Sequence, residues 1–295
     1  MSHRKVLILL FVLYMVGMTA FMIWQGIGIA PDRYAFVLLL GSLLVKRTRG
    51  FLLDFMPFLF ILIAYDFLRG LAPIVNSNVH YLELINWEKI LFGGIIPTIF
   101  LQKIFFNPSN LSFLDYITTI FYFLHFALPL SFGFLLWIYN KSHFREFVTA
   151  LLLMSYSAWI SYVIFPAAPP WLSEQKGYLD GVTKIIDHTF NSFPDKFNLP
   201  TIYHNFNPNP VAAFPSMHAA YPFLILLFCL SFFKLKGLIF LPYVLMVWFS
   251  MVYLGEHYVV DELGGAIYAI IFFVITKLIF LKVRDKKIPL WNKTK

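Results

Sequence analysis

Charge is scarce in this chain. Of its 295 residues 13% are Asp, Glu, Lys or Arg, and 60% are hydrophobic. A soluble domain is about a quarter charged and about half apolar, so the composition excludes an ordinary soluble fold. A mean hydropathy of +0.74 and repeated long apolar runs read as a polytopic membrane protein. Cysteine is almost missing. The single Cys229 lies inside an apolar run, which excludes a disulfide within the chain. Acidic residues are also few, 15 against 23 Lys and Arg, for a formal net charge of +8. The positive excess sits in short clusters between apolar runs, as topology signals do. A Lys/Arg stripe with interleaved aromatics does not occur, which argues against a nucleic-acid partner.

What the chain has is helix length. A span needs about 20 apolar residues, and spans are expected near 6–24, 33–45, 51–70, 115–139, 146–166, 214–233, 237–254 and 262–281. The first follows Arg4-Lys5. It is too long for a signal peptide and no small-residue cleavage site follows, so it reads as a retained helix. The stretch 80–106 mixes Glu83, Glu88, Lys89 and Lys103 with apolar residues and is broken by Gly93-Gly94 and Pro97. That suits interfacial helices lying on the membrane. A polar loop rich in Pro, Asn and Asp covers 167–213. The expected fold is therefore all-α, a polytopic bundle with about eight spans. Residues 1–50 form two N-terminal transmembrane helices, 51–282 a six-helix catalytic core, and 283–295 a basic cytoplasmic tail. Arg4-Lys5, Lys46-Arg47-Arg49, Lys141/Arg145, Lys234/Lys236 and the tail all fall on one side with this count, which the positive-inside rule makes cytoplasmic. The segments 71–114, 167–213, 215–218 and 255–261 then share the non-cytoplasmic face.

Two of those segments carry chemistry. One is Pro215-Ser216-Met217-His218 and the other is His257-Tyr258-Val259-Val260-Asp261. Ionisable groups beside hydrocarbon are functional candidates by default. A His four residues before an Asp is the spacing that puts both side chains on one helix face. The carboxylate there holds one ring nitrogen and leaves the other to attack or bind. Pro and Ser also suit a helix start as first-turn residue and cap, and free N–H groups at such a start can hold a phosphate.

The two segments, in this order and spacing, resemble the second and third signatures of the type-2 phosphatidic acid phosphatase superfamily. Ser250, His257 and Asp261 fit the third, as do Tyr253-Leu254-Gly255, Tyr258 and Gly264-Gly265 around it. The resemblance implies that His257 is the nucleophile, forming a phosphohistidine. Asp261 would orient it, and His218 would be the general acid and then the base. Two departures matter. Met251 stands where an Arg is expected, and Phe165-Pro166-Ala167-Ala168-Pro169-Pro170-Trp171 has no cation where the first signature carries them. Those cations surround a phosphate monoester, whereas a phosphodiester has one charge less to stabilise. The inferred substrate is therefore a phosphodiester, a phospholipid with a head-group.

Ala-Pro-Pro-Trp, Tyr65-Asp66-x-x-Arg69-Gly70, Leu91-Phe92-Gly93-Gly94, Ile96-Pro97-Thr98, Leu101-Gln102 and His125-Phe126 resemble the inositol phosphorylceramide synthase, or aureobasidin-resistance, branch. The resemblance runs from about residue 60 to 275. It implies a membrane phosphotransferase that moves an inositol phosphate-like head-group from a phospholipid donor to a lipid or polyol hydroxyl. Two other readings stay open: a lipid phosphatase or phosphodiesterase using water, and a non-enzymatic lipid-binding or transport protein. His218, His257 and Asp261 also form a two-His-one-carboxylate set, but the family chemistry is metal-free, and neither metal nor cofactor is expected. Ser216, Ser250, Tyr65, Asp66, Arg69 and Trp171 are candidates for substrate binding. Asp66 and Arg69 form either a local ion pair or a source of the missing cation. Trp171 is either an interfacial anchor or a wall of the site, and His125 either a core residue or a site residue. Glu256 is expected on a helix, pointing away from His257. The expected location is a prokaryotic plasma membrane, with the active site on its non-cytoplasmic face.

Overall fold

The computed structural model describes residues 13–14, 16–18, 21, 37–40, 48–194 and 209–285. Most of the two expected N-terminal spans, the loop part 195–208 and the tail from 286 lie outside the described residues. The described part is an all-α bundle. In chain order its helices are α1 (Phe51–Val75), α2 (Leu82–Leu91), α3 (Pro97–Phe105), α4 (Phe113–Tyr139), α5 (Lys141–Ile164), α6 (Pro170–Gln175), α7 (Ile185–Asn191), α8 (Met217–Phe233), α9 (Leu241–Tyr253) and α10 (Val259–Asp285). The first five residues of α1 are wound as a π-turn.

Among the described residues, four helices are long and apolar enough to cross a membrane, and five if the bent halves of α4 count as one span. One of the four, Met217–Tyr253, turns back on itself through the 3₁₀ segment Lys234–Phe240. Its two arms, α8 and α9, pack side by side: Trp248 Nε1 donates to the Ala219 carbonyl at 3.2 Å. The turn closes tightly, since a Cβ on Gly237 would stand 2.5 Å from the Cys229 carbonyl carbon. Helix α4 bends by 48° between Phe113–His125 and Ala127–Tyr139. Pro129 accounts for the bend, because its ring clashes with the carbonyl four residues back, that of His125.

The main core joins α1, α4, α5, α8 and α10. One end is aromatic: Phe51, Phe55, Phe58, Phe134, Trp137 and Phe144 pack mostly edge to face, with ring centroids 5.1 to 6.3 Å apart. Charged groups near that end are paired. Asp54 accepts from Trp137 and Lys141, and Lys277 binds Glu146 while facing three Phe rings. Large apolar side chains such as Phe60, Ile164 and Ile267 are exposed on the outer faces of spans, as contact with lipid requires.

Helices α2 and α3 have 10 and 9 residues, about 15 Å at 1.5 Å per residue, which is half a bilayer. Gly93 and Gly94, with φ of 60° and 92°, make the turn after α2. The loop ends are knotted together by single bridges. His80 donates to the Pro166 carbonyl and accepts from Ala168 N, while Ala167 N donates to the Val211 carbonyl. Segments 71–114, 215–218 and 255–261 and the described parts of 167–213 thus meet at one end of the bundle.

Candidate active site

The site is built at two helix starts. Helix α8 begins after Ser216, whose hydroxyl accepts from Ala219 N at 3.3 Å as an N-cap. That puts His218 in the first turn. Helix α10 begins at Val259, so His257 precedes the helix. The expected helix-face pairing of His257 with Asp261 is therefore corrected. Asp261 is the third residue of α10, and its Oδ2 reaches back to accept the Tyr258 N–H at 2.9 Å, one half of a capping box. The same oxygen lies 3.3 Å from His257 Nδ1. Glu256 also departs from expectation, since it lies in the turn and is buried.

His257 Nε2 stands 3.0 Å from His218 Nδ1. With Asp261 accepting a hydrogen bond from His257 Nδ1–H, Nε2 of His257 is the acceptor and His218 Nδ1–H the donor. His257 and Asp261 are 4% and 0% exposed. The helix starts are locked together, because Ser216 N donates to the Asp261 carbonyl at 3.0 Å. Beneath His218 lie Tyr122, stacked at 5.0 Å, and His125, at 3.9 Å between ring centroids. His125 Nδ1 is hydrogen-bonded to the Tyr122 carbonyl. His125 is thus part of the site's floor.

The turn before His257 is held from α3. Gln102 Nε2 donates to the carbonyls of Tyr253 and Thr183, both at 2.8 Å, and its Oε1 accepts from Thr183 N. Gly255 has φ 79°, and a Cβ there would stand 2.9 Å from the Thr183 carbonyl oxygen, so this position admits glycine alone. Trp171 N donates to the Gly255 carbonyl at 3.0 Å, and Lys184 Nζ sits 4.0 Å over the Trp171 ring. Trp171 therefore adjoins the turn that carries His257.

Arg69 is buried, 8% exposed, and pairs with Asp66 at 3.0 Å. Its Nε makes no hydrogen bond. Its charge is felt at His125 and His218 and at Tyr65, Tyr162 and Tyr221. Nearby, the Tyr162 hydroxyl donates to the Pro215 carbonyl at 3.0 Å, and the Tyr221 hydroxyl lies 2.9 Å from that of Ser155. Ser250 is not brought into this group in the same way: its hydroxyl is spent on the Met246 carbonyl, one turn back in α9, at 2.6 Å.

Sequence reasoning missed Tyr122, Tyr162, Tyr221 and Glu88. The three tyrosines lie in apolar runs expected to be spans, where neither residue type nor spacing marks them out. Glu88 lies on a segment read as interfacial, yet it is wholly buried and binds the first two N–H groups of α10. Burial pushes its carboxyl up to about 7. The described residues contain no group of His, Cys, Asp and Glu able to hold a metal ion.

No solved structure matches this chain. It is 27% identical over 252 residues to the phosphoinositol dihydroceramide synthase of Bacteroides thetaiotaomicron, covering 80% of each protein. It is 29% identical over 223 residues to the inositol phosphorylceramide synthase catalytic subunit of Schizosaccharomyces pombe, covering 70% of this chain and 52% of that one. The corresponding Saccharomyces cerevisiae subunit is 31% identical over 136 residues, 41% of this chain and 31% of its own length. The chain thus spans about half or less of these two fungal relatives. Residues 83–275, well over half of the sequence, match the PAP2 superfamily. The chain belongs to the PAP2 superfamily and is a multi-pass membrane enzyme of its phosphotransferase and phosphatase kind.

Proposed function

We propose that this enzyme transfers a phosphoinositol head-group from a phospholipid to the hydroxyl of a ceramide-type lipid, through a phosphohistidine on His257. The observation that carries the reading is the relay Asp261–His257–His218, with contacts of 3.3 and 3.0 Å between ring nitrogens and their partners. Asp261 holds the His257 Nδ1 proton and so keeps Nε2 unprotonated and nucleophilic. A 3.0 Å gap between two nitrogens leaves no room for phosphorus, so the bound head-group has to part the two rings. Nε2 then attacks phosphorus. The bond to the diacylglycerol oxygen breaks, and that oxygen takes the Nδ1 proton of His218, which acts as the imidazolium and is left as the neutral imidazole. In the second half His218 accepts the proton of the incoming lipid hydroxyl, whose oxygen displaces His257 from phosphorus. A positioned acid–base group contributes about 10²–10⁴ in rate.

Charge supports a diester. Met251 stands where the superfamily has an Arg, and the segment Phe165–Trp171, which corresponds to the first signature, carries no cation. Arg69, buried within electrostatic reach of His218 and with Nε unbonded, is the cation we assign to the single phosphodiester charge. The relatives' names, phosphoinositol dihydroceramide synthase and inositol phosphorylceramide synthase, supply the head-group and acceptor class. The positive clusters argue for a site on the non-cytoplasmic face, and the bacterial relative for a prokaryotic plasma membrane. Residues 51–282 are the proposed catalytic core.

The test uses purified protein in mixed micelles with labelled phosphatidylinositol and dihydroceramide, diacylglycerol or no acceptor, with products read by mass spectrometry. A new inositol phosphodiester of dihydroceramide is expected, and none from His257→Ala. Release of inositol phosphate alone would turn the reading to hydrolysis. Full activity in His257→Ala would remove the mechanism.

A further inference from the structure

Helix α2 is too short to span, yet it carries a fully buried carboxylate. Glu88 Oε1 accepts from Val259 N and Oε2 from Val260 N, each at 3.1 Å. These are the first two N–H groups of α10. The preceding one, Tyr258 N, is taken by Asp261. The start of α10 is thus capped by two carboxylates, one from its own third residue and one from another helix.

Capping alone does not account for this. A Ser or Asp at the residue before the helix would cap locally for about 1 kcal/mol, whereas that position is Tyr258. Burying a charge from a distant helix is costly unless it is well bonded. Other carboxyls face Glu88 as well: Asp261 and Glu262 from α10, with the Tyr258 hydroxyl beside them. What the distant carboxylate adds is a fixed link. The neighbouring Trp87 packs on Phe214 at 5.6 Å and on Phe165 at 5.7 Å, and Phe214 precedes the Pro215–His218 turn. Consecutive residues of α2 therefore grip both halves of the site.

We propose that Glu88 is a positioning residue, which sets the turn Gly255–Asp261 against His218 by holding the first N–H groups of α10. Its kinetic consequence rests on the function proposed above; its structural consequence does not. Glu88→Gln keeps the shape but offers one acceptor for two donors, and Glu88→Ala offers none. The probe is diethylpyrocarbonate acting on the detergent-solubilised full chain, with carbethoxylation followed by peptide mass spectrometry. His257, 4% exposed, reacts slowly in the parent. Both variants are expected to speed its reaction about tenfold or more, since misplacements of about 1 Å are enough to change reactivity strongly. His188, on α7 and away from α2, reacts as before. In the transfer assay kcat falls by a similar factor while the donor KM stays within about twofold.

Unchanged His257 reactivity in both variants overturns the proposal. So does equal acceleration at His188, which would mark general loosening of the fold. Should the parent show no transfer at all, the functional reading falls, and the ratio of His257 to His188 modification still decides the role of Glu88.

Discussion

Gly265 lies so close to Ser216 that a Cβ on it would stand 2.2 Å from the Ser216 carbonyl oxygen. This contact brings α10 against the start of α8, where the Asp261 carbonyl accepts from Ser216 N. Gly265→Ala forces two backbones apart. The strain exceeds the roughly 1 kcal/mol that Ala gains over Gly in a helix, and overpacking of this kind costs about 1–3 kcal/mol. The expected result is a lower unfolding midpoint in detergent and loss of most activity. Gly264→Ala meets the edge of the Phe214 ring at 2.5 Å; a ring can tilt, so the smaller loss is expected there. Equal, wild-type-like behaviour of both variants would contradict the close approach.

Asp261→Asn keeps an acceptor for the Tyr258 N–H but removes the charge that fixes the His257 tautomer. A comparable change in a serine protease triad costs about 10⁴ in kcat. A loss of about 10³–10⁴ in turnover is expected, with donor KM little changed and the unfolding midpoint within a few degrees. Steady-state kinetics with thermal unfolding checks both. A large KM effect would instead make Asp261 a binding residue.

Arg69→Met and Arg69→Lys separate charge from shape. Removing one stabiliser of the transferring phosphoryl group costs about 10²–10³. Met is expected to lose that much. Lys restores part of it, because it carries the charge without the planar fork. A Lys variant no better than Met would place the value of Arg69 in its pairing with Asp66 rather than in its charge at the site.

Glu88 gives stability a pH dependence. Burial raises its carboxyl from 4.5 to about 7. The folded state therefore holds the proton more tightly than the unfolded chain. The contribution is complete below pH 4.5 and is lost as pH rises through about 7, by at most about 3 kcal/mol. The unfolding midpoint in detergent should fall across this window in the parent and change less in Glu88→Gln. Parallel slopes in the two proteins would assign the dependence to other groups.

The all-α class and the long apolar helices among the described residues were legible in the sequence, because apolar runs of span length have few alternatives. So were the two His segments, whose residue types stand out against hydrocarbon. The pairing of His257 with Asp261 was expected from a helix face, yet it arises at a helix start. The four-residue spacing is common to both, since a capping carboxylate reaches back over the same distance that a helical turn covers. Gln102, quoted for its resemblance, proved to be a clamp on the turn before His257 through three hydrogen bonds.

Tyr122, Tyr162 and Tyr221 carried no signal, because an aromatic in a span reads as filler until its neighbours are known. Glu88 misled for a related reason: a charged residue on a short amphipathic segment is ordinarily solvated. By itself the sequence determined the helices, the class of chemistry and the absence of the superfamily cations beside the two His segments, since each is a local property of residue type and spacing. Tertiary structure alone decided that Arg69 comes within reach of His218, that His125 lies under it, and that Glu88 holds the start of α10. These pairings join residues from 93 to 172 positions apart, and a proximity of that kind is fixed by helix packing, which no local pattern encodes.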